Sequence, residues 1–224
     1  MIYLLLQGCL GDPSASLTGR IVNSELAGIA NANVTIRDGA GAVFSETEAD
    51  EMGNFNVQLP ALSTFFLEAE ATNMPPTAFT GFAGEGETIA PAKTLIVRSE
   101  FEVETVINTF ENCSNTERGL IDGRVAVDIP GQESTALPAV TTATIRGIDA
   151  AGLIYDGCYL PNEDGLEMTE TGNSGRYAIM GLPEGVITLR VTVQYDTDTS
   201  EDFDHILYVP NNGATALDPT LIPL

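Results

Sequence analysis

The chain has 224 residues, of which 43% are hydrophobic, so it is long enough for one large or two small globular domains and too apolar to be disordered. Nine basic residues face 32 acidic ones, which gives a formal net charge of −23. Because phosphate groups are bound by clustered Lys and Arg, this charge excludes nucleic acid and anionic lipid surfaces as direct partners and favours divalent cations, basic partners or simple solubility.

The N-terminal residues resemble the end of a bacterial lipoprotein signal. Residues 1–6 are apolar, and Leu6-Gln7-Gly8-Cys9 is similar to the lipobox, in which a small residue precedes the cysteine that is lipidated. The apolar run is shorter than the roughly 7 to 15 residues of a complete signal, and no Lys or Arg precedes Cys9. We expect lipidation at Cys9 and a flexible tether to residue 16. The short apolar run is then explained by a start codon that lies upstream or by a sequence that is a fragment. The alternative is a plain hydrophobic terminus with a buried thiol.

Alternating apolar and polar residues predict half-buried β-strands in the first part of the chain. Residues 55–59 are the clearest case, with three apolar side chains on one face and two polar ones on the other. The same period occurs at residues 17–23, 34–36 and 65–71. Turn-forming residues at 38–41, 50–54 and 74–76 separate these segments, which is typical of a β-sandwich.

One segment departs from the strand pattern. Ser99 is followed three residues later by Glu102, which is the spacing of a capping box at the start of a helix. This motif predicts a short helix over about residues 100–110.

The strand pattern then recurs after this helix. Residues 17–22 are echoed by 121–126, 33–37 by 142–146, and 52–60 by 174–183, always in the same order. Further strands are predicted at 177–179, 186–193, 205–209 and 220–224. We therefore predict two copies of one module, at 17–98 and 118–224, joined by a helical linker at 99–117. Residues 149–171 of the second copy are longer than their counterpart and are interpreted as an extended loop or a broken hairpin.

Cys113 and Cys158 are expected to form a disulfide bond. Cys9 has its own explanation, so an even pair remains in a chain expected to enter an oxidising compartment. The bond would close a loop of roughly 45 residues and contribute about 3 to 4 kcal/mol. It would attach the 149–171 insertion to the start of the second copy. The alternative is two free thiols.

The repeated motifs resemble the carboxypeptidase regulatory-like family, also described as transthyretin-like β-sandwiches. The family's G-x-V strand has its counterparts at Gly19-Arg20-Ile21 and Gly123-Arg124-Val125. Its "T-D-x-x-G-x-F-x-x-x-x-L-P" signature is similar to residues 49–60 and 172–183. The resemblance implies an all-β fold of two tandem, seven-stranded antiparallel sandwiches without catalysis of their own.

The glycine and the aromatic residue of the turn signature each have a physical explanation. Gly53 and Gly175 each lie where a tight turn enters a strand, so a positive φ is expected there. Phe55 and Tyr177 follow, and each is expected to bury an aromatic ring in the core.

The sequence holds no evident catalytic constellation, and we expect the protein not to be an enzyme. The only histidine is His205, which has no partner histidine or plausible nucleophilic cysteine with which to form a triad or a His-rich metal site. We expect His205 at the surface of a late edge strand.

The run 196–204 is strongly acidic, with five carboxylates in nine residues. Alternate acidic side chains in a loop can converge on a hard cation, so Asp196, Asp198, Asp202 and Asp204 are candidate calcium ligands. The run lacks the spacing and the central glycine of an EF-hand, and the alternative is a solvated acidic loop. No other cofactor is expected.

Two functional hypotheses follow. The first is a non-catalytic cell-envelope lipoprotein, either an outer-membrane lipoprotein or an exported protein, that acts as a structural or protein- or glycan-binding surface module. It would contact the membrane only through its lipid anchor. The second is an accessory protein that captures substrate for an envelope uptake or degradation system through residues 149–171 and 196–204, with calcium assisting.

Overall fold

The computed structural model describes residues 14–60, 62–83, 88–89, 94–110, 113, 119–129, 137–160, 168–195 and 198–223. The strands of the N-terminal half are β1 (Ser14–Val22), β2 (Asn33–Asp38), β3 (Val43–Glu48), β4 (Asn54–Pro60), β5 (Ser63–Ala71), β6 (Met74–Ala83), β7 (Thr88–Ile89) and β8 (Thr94–Ile96). Helix α1 (Glu100–Thr109) follows. The strands of the C-terminal half are β9 (Gly119–Asp128), β10 (Ala143–Asp149), β11 (Ile154–Asp156), β12 (Cys158–Tyr159), β13 (Arg176–Leu182), β14 (Gly185–Gln194), β15 (Ser200–Val209) and β16 (Ala214–Pro223).

The two halves follow the same pairing scheme. In the N-terminal half, β1 pairs antiparallel with β4 and parallel with β7 and β8, which forms the N-terminal sheet. In the C-terminal half, β9 likewise pairs antiparallel with β13 and parallel with β16. Strands β2, β3, β5 and β6 pair in the order 3-2-5-6, and their counterparts form the C-terminal sheet in the order 11-10-14-15. The prediction of a β-sandwich architecture with one short helix is confirmed. The sandwiches are not wholly antiparallel as predicted, because β1 pairs in parallel with β7 and β8, and β9 with β16. A count of seven strands in each sandwich stays a prediction.

The halves share one sheet. Strand β16 lies between β9 and β6 and is parallel to both, with Ala214 opposite Thr77 and Thr215 opposite Ala78. This pairing produces an eight-stranded central sheet in the order 12-13-9-16-6-5-2-3. A sandwich in each half is therefore built on a layer that runs through both.

Alternating residues of the central sheet face different layers. In β5, Phe65 and Leu67 pack in the core against the N-terminal sheet, together with Ile21 and Phe55. Phe66 points to the opposite face, where it packs with Tyr208 of the C-terminal sheet. In the C-terminal half the core between the sheets contains the side chains of Ile121, Ile145, Tyr177, Leu189 and Val191.

The signature turns behave as predicted. Gly53 and Gly175 have φ angles of 83° and 67°. The carbonyl of Gly53 accepts a hydrogen bond from Ile21 N–H, and that of Gly175 accepts one from Val125 N–H, so both turns are tied to equivalent strands. The rings of Phe55 and Tyr177 are buried, as expected.

Two boundaries differ from the sequence interpretation, and one open alternative is decided. Strand β1 begins at Ser14, inside the proposed tether, because Ala15 is buried and this stretch pairs with the end of β4. Residues 74–76 were expected as a turn, but Met74 starts β6 and the turn lies just before it. In the 149–171 insertion, β10 and β11 form a hairpin and β12 pairs with β13, which matches the broken-hairpin alternative for the residues that the structure describes.

Candidate functional site: the junction between the two halves

Helix α1 begins with the predicted capping box. The Ser99 hydroxyl accepts a hydrogen bond from Glu102 N–H, and the Glu102 carboxylate accepts one from Ser99 N–H at 2.7 Å. The backbone N–H of Ser99 lowers the pKa of the Glu102 carboxyl. The cap therefore fixes the point at which the chain leaves the N-terminal half.

The helix packs on the central sheet beside the disulfide bond. Val103, Val106 and Ile107 of the helix contact a small cluster that contains Leu120, Met180 and Ala214. Cys113 and Cys158 join this cluster and form the predicted disulfide, with Cα atoms 5.7 Å apart and 45 residues between them in the sequence. The helix and the disulfide thus anchor the entry of the C-terminal half to the strands of that half.

A partly buried ion pair crosses from one half to the other. The Arg98 guanidinium donates to the carboxylate of Asp122 on β9, whose residue is only 3% exposed. A buried carboxylate is costly unless it is paired. Arg98 therefore compensates the charge of Asp122 and holds the segment after β8 against the central sheet.

A second polar cluster connects β2 and β5 with the C-terminal sheet. Arg37 pairs with Glu68 at 2.9 Å and lies over the Tyr208 ring at 4.6 Å from its centroid. The Tyr208 hydroxyl donates to Glu184 at 2.8 Å, and Arg37 approaches the same carboxylate at 3.9 Å. Burial, with the hydrogen bond to Glu184, raises the pKa of Tyr208. The phenol therefore stays protonated and keeps this donor across the physiological pH range.

A cleft of about 660 Å³ opens where the helix meets the turns of both halves. Its apolar wall is half-buried and comprises Ala71, Met74, Pro75, Val103 and Ile107. Its rim is polar and exposed, with the carboxylates of Glu70, Glu100 and Glu104 and the side chains of Asn31, Asn33, Thr72, Asn73 and Asn212. No cationic residue lines it within the described part of the chain. The cleft suits a ligand with an apolar stem and a positive charge.

The acidic run 196–204 is largely strand rather than loop. β15 begins at Ser200, so Asp202 and Asp204 project from an edge strand of the C-terminal sheet. Arg190 of β14 donates to both oxygens of Asp204 at 2.8 Å, which lowers the pKa of that carboxyl, and Asp202 accepts from Thr192 at 2.6 Å.

Two of the four predicted calcium ligands, Asp202 and Asp204, already accept hydrogen bonds from protein side chains. Asp196 lies outside the described residues, and Asp198 has an interaction of its own. Across the residues that the structure describes, no group of three or more His, Cys, Asp or Glu side chains is arranged to hold a metal ion. Calcium binding at Asp196, Asp198, Asp202 and Asp204 stays a prediction.

His205 lies on the edge strand β15, as expected, but its ring is only partly exposed. It shares a face with Phe203 and Leu207, which pack on the C-terminal core. Its Nε2 atom is buried and has no hydrogen-bond partner among the described residues. Burial lowers the pKa of the imidazole, and the charge of Asp204 opposes that shift only in part. His205 is thus a neutral packing residue at pH 7.

The predicted lipidation site, Cys9, lies outside the described residues. In the part of the chain that is described, α1 is the only helix, and it is too short and too polar to cross a membrane.

Comparisons with known proteins give distant structural likenesses. No family model matches the sequence, so the resemblance to the carboxypeptidase regulatory-like family stays a prediction, and no curated protein matches either. Among solved structures, the chain is similar to the Bacillus anthracis TIE protein (16% identity, TM-score 0.33, 94% of this chain and 34% of that chain) and to a streptococcal ancillary pilin (12%, 0.28, 96% and 62%). It is also similar to BcpA, the major pilin subunit of Bacillus cereus, with 9% identity and a TM-score of 0.33 over 88% of this chain and 69% of that chain. The chain spans about a third of the first of these proteins and under two thirds of the second. Since all three TM-scores lie below 0.5, only the geometry of this chain bears on its function.

The sequence predicted the disulfide and the helix cap of this junction but not the ion pairs that cross it. Arg37, Arg98 and Asp122 belong to no motif that predicts an ion pair, and their partners lie far away in the sequence. One signal was present in the run Phe65-Phe66-Leu67. Three consecutive apolar residues in a strand indicate that both faces are covered.

Proposed function

We propose that the chain is a non-catalytic structural module of the bacterial cell envelope, anchored through a lipid on Cys9. It would hold its two sandwiches, at 17–98 and 118–224, in a fixed relative orientation. The observation that carries this proposal is the central sheet, in which β16 of the C-terminal half pairs with β6 of the N-terminal half. A shared sheet prevents the free rotation that a simple linker permits.

Other contacts support a rigid connection. The cluster of Phe66, Ala78 and Tyr208 fills the space between the halves, and the Arg98–Asp122 pair adds a charged contact. The disulfide fits an exported protein, because such bonds persist in oxidising compartments. The acidic surface fits solubility outside the cytoplasm.

The test of this proposal is fractionation of bacterial cells that express the full chain. We expect the wild-type protein in the membrane fraction and the C9A variant in the soluble envelope fraction, because the lipid is lost. A matched control is C158A, which breaks the disulfide bond but leaves the anchor in place. Membrane association that is unchanged in C9A, or retention of the wild-type protein in the cytoplasm, would overturn the anchored surface role.

The second candidate function is capture of a basic ligand, and the cleft beside α1 favours it. Lysine carries a long apolar stem that fits half-buried walls while its ammonium stays at a carboxylate rim. The strongly negative protein would also steer such a ligand toward the cleft. Capture would then occur at this junction. The alternative version of this function places capture at residues 149–171 and 196–204, with calcium assisting.

A titration with a short lysine peptide tests this candidate. The E70Q/E100Q/E104Q variant should lose binding, whereas E46Q/E51Q/D128N, which removes three exposed carboxylates outside the cleft and the 196–204 run, should retain it. Equal loss in both variants would indicate general attraction to an acidic surface. Binding that requires calcium and survives the cleft variant would favour the 196–204 site instead.

A further inference from the structure

We infer that each half of the chain contains a mechanical clamp that resists tension applied along the chain. This inference rests on the proposed structural role and gives it a physical purpose. In both halves the strand that enters the fold pairs in parallel with the strand that leaves it. That arrangement decides how a pulling force reaches the hydrogen bonds.

In the N-terminal half, the entering strand is β1 and the leaving strand is β8. They are parallel, with Arg20 opposite Thr94, Ile21 opposite Leu95 and Val22 opposite Ile96. A force that pulls β1 from its N-terminal end and β8 from its C-terminal end acts in opposite directions along the two strands. The hydrogen bonds between them, which include Val97 N–H to the Val22 carbonyl, are then loaded in shear and share the force.

The C-terminal half repeats this geometry over a longer contact. β9 enters and β16 leaves, and they are paired in parallel from Leu120 opposite Ala214 to Asp128 opposite Pro223, with one irregularity. β16 is also held on its other side by β6. To slide β16 out, a force would have to break bonds on both of its edges.

The connection between the clamps is reinforced at the point where load passes from one to the other. Arg98 lies directly after β8 and pairs with Asp122 in β9. Cys113 precedes β9, and its disulfide to Cys158 transfers load covalently to β12, which pairs with β13. The disulfide thus divides the arriving load between β9 and the β12–β13 pair.

Single-molecule force spectroscopy on the full chain tests the inference by comparing two pulling directions. In the first, handles are attached at the two ends of the chain. In the second, they are attached through L62C and F82C, two exposed positions at the open end of the β5–β6 hairpin. The second direction separates an antiparallel pair one hydrogen bond at a time. We expect the end-to-end unfolding force to be about threefold higher or more, since forced unfolding follows the barrier along the pulling direction.

Reduction of the disulfide provides a second measurement on the unaltered sequence. The intact bond keeps 45 residues from extending, so reduction should lengthen the C-terminal unfolding step by roughly 150 Å. It should also lower the force of that step and leave the N-terminal step unchanged.

Equal forces in the two pulling directions would overturn the clamp. A C-terminal step that lengthens at unchanged force after reduction would overturn the reinforcing role of the disulfide, because the β9–β16 pair would then carry the load without it. The proposed envelope role is judged separately by fractionation. If the protein is anchored but its end-to-end unfolding force is low, the envelope role stands and the clamp is wrong. If the end-to-end unfolding force is high but the protein is not anchored, the clamp stands and the envelope role is wrong.

Discussion

At the scale of single residues, Gly53 shows how one backbone angle secures a turn. Its φ is positive, and a Cβ at this position would collide with the carbonyl oxygen of Ile21. We expect G53A to destabilise the protein by about 2 to 4 kcal/mol, which combines the cost of the left-handed conformation with displacement of β1. Chemical denaturation measures this change.

The matched control for G53A is G152A. Gly152 has a similar φ of 81°, but no atom lies within 4 Å of an added Cβ. This variant should lose only about 1 to 2 kcal/mol, which is the conformational cost alone. Equal effects of the two substitutions would mean that the close approach to β1 contributes nothing.

His205 should make the protein sensitive to mild acid. Its pKa in the folded protein is lowered from 6.5 by burial, so the unfolded chain binds the proton more tightly. Stability is therefore complete above pH 6.5 and declines as the pH falls from there toward the folded pKa. Thermal unfolding of the wild type and of H205Q between pH 7.5 and about 5 should show a smaller decline in the variant. The same decline in both proteins would assign the acid sensitivity to other groups.

At the scale of elements, α1 depends on its N-cap. Replacing Ser99 with Ala removes the side-chain acceptor for Glu102 N–H and should cost about 1 kcal/mol. T105A is the matched control, because the Thr105 hydroxyl only donates back to the Phe101 carbonyl within the helix. That variant should be neutral or slightly stabilising. Amide hydrogen exchange in α1 should accelerate in S99A and not in T105A.

The elements that could be predicted are those in which one face is buried and the other is exposed. β4 is the clearest example, with Phe55, Val57 and Leu59 buried and polar residues between them. β6 escaped prediction because its first residues include Pro75 and Pro76, which usually mark a turn. They are tolerated here at the start of the strand, beside the irregular pairing of Ala71 with Met74.

The sequence pattern did not predict which strands pair with each other. A period of two tells which side chains are buried but not which strand lies alongside, so the pairing of β16 with β6 left no signal. The acidic run shows the same limit. Its charges predicted an exposed segment, and Asp202 and Asp204 are exposed, but they did not predict that Arg190, opposite Asp204 on β14, pairs with that carboxylate. The cleft was missed for a similar reason, because Asn31, Asn73 and Asn212 lie in separate turns.

At the scale of the whole molecule, the junction should make the two halves unfold together. Tyr208 is 2% exposed and contacts Phe66 and Arg37 of the other half. We expect one calorimetric transition in the wild type and two in Y208A, because the cavity left by the ring weakens the connection by about 3 to 5 kcal/mol. Y195A, which truncates an exposed tyrosine, should keep a single transition. Two transitions already in the wild type would contradict a coupled junction.

The shared sheet also sets the order in which the molecule can be completed. A chain made from its N-terminus produces β1 to β8 early, yet the neighbour that pairs with the β6 edge at Thr77 and Ala78 is β16, which is synthesised after every other strand that the structure describes. An uncovered strand edge is a template for pairing with other chains. During synthesis the N-terminal half therefore requires protection until β16 arrives. A premature stop or a proteolytic cut before β16 leaves that half incomplete, even though every residue of its own sequence is present.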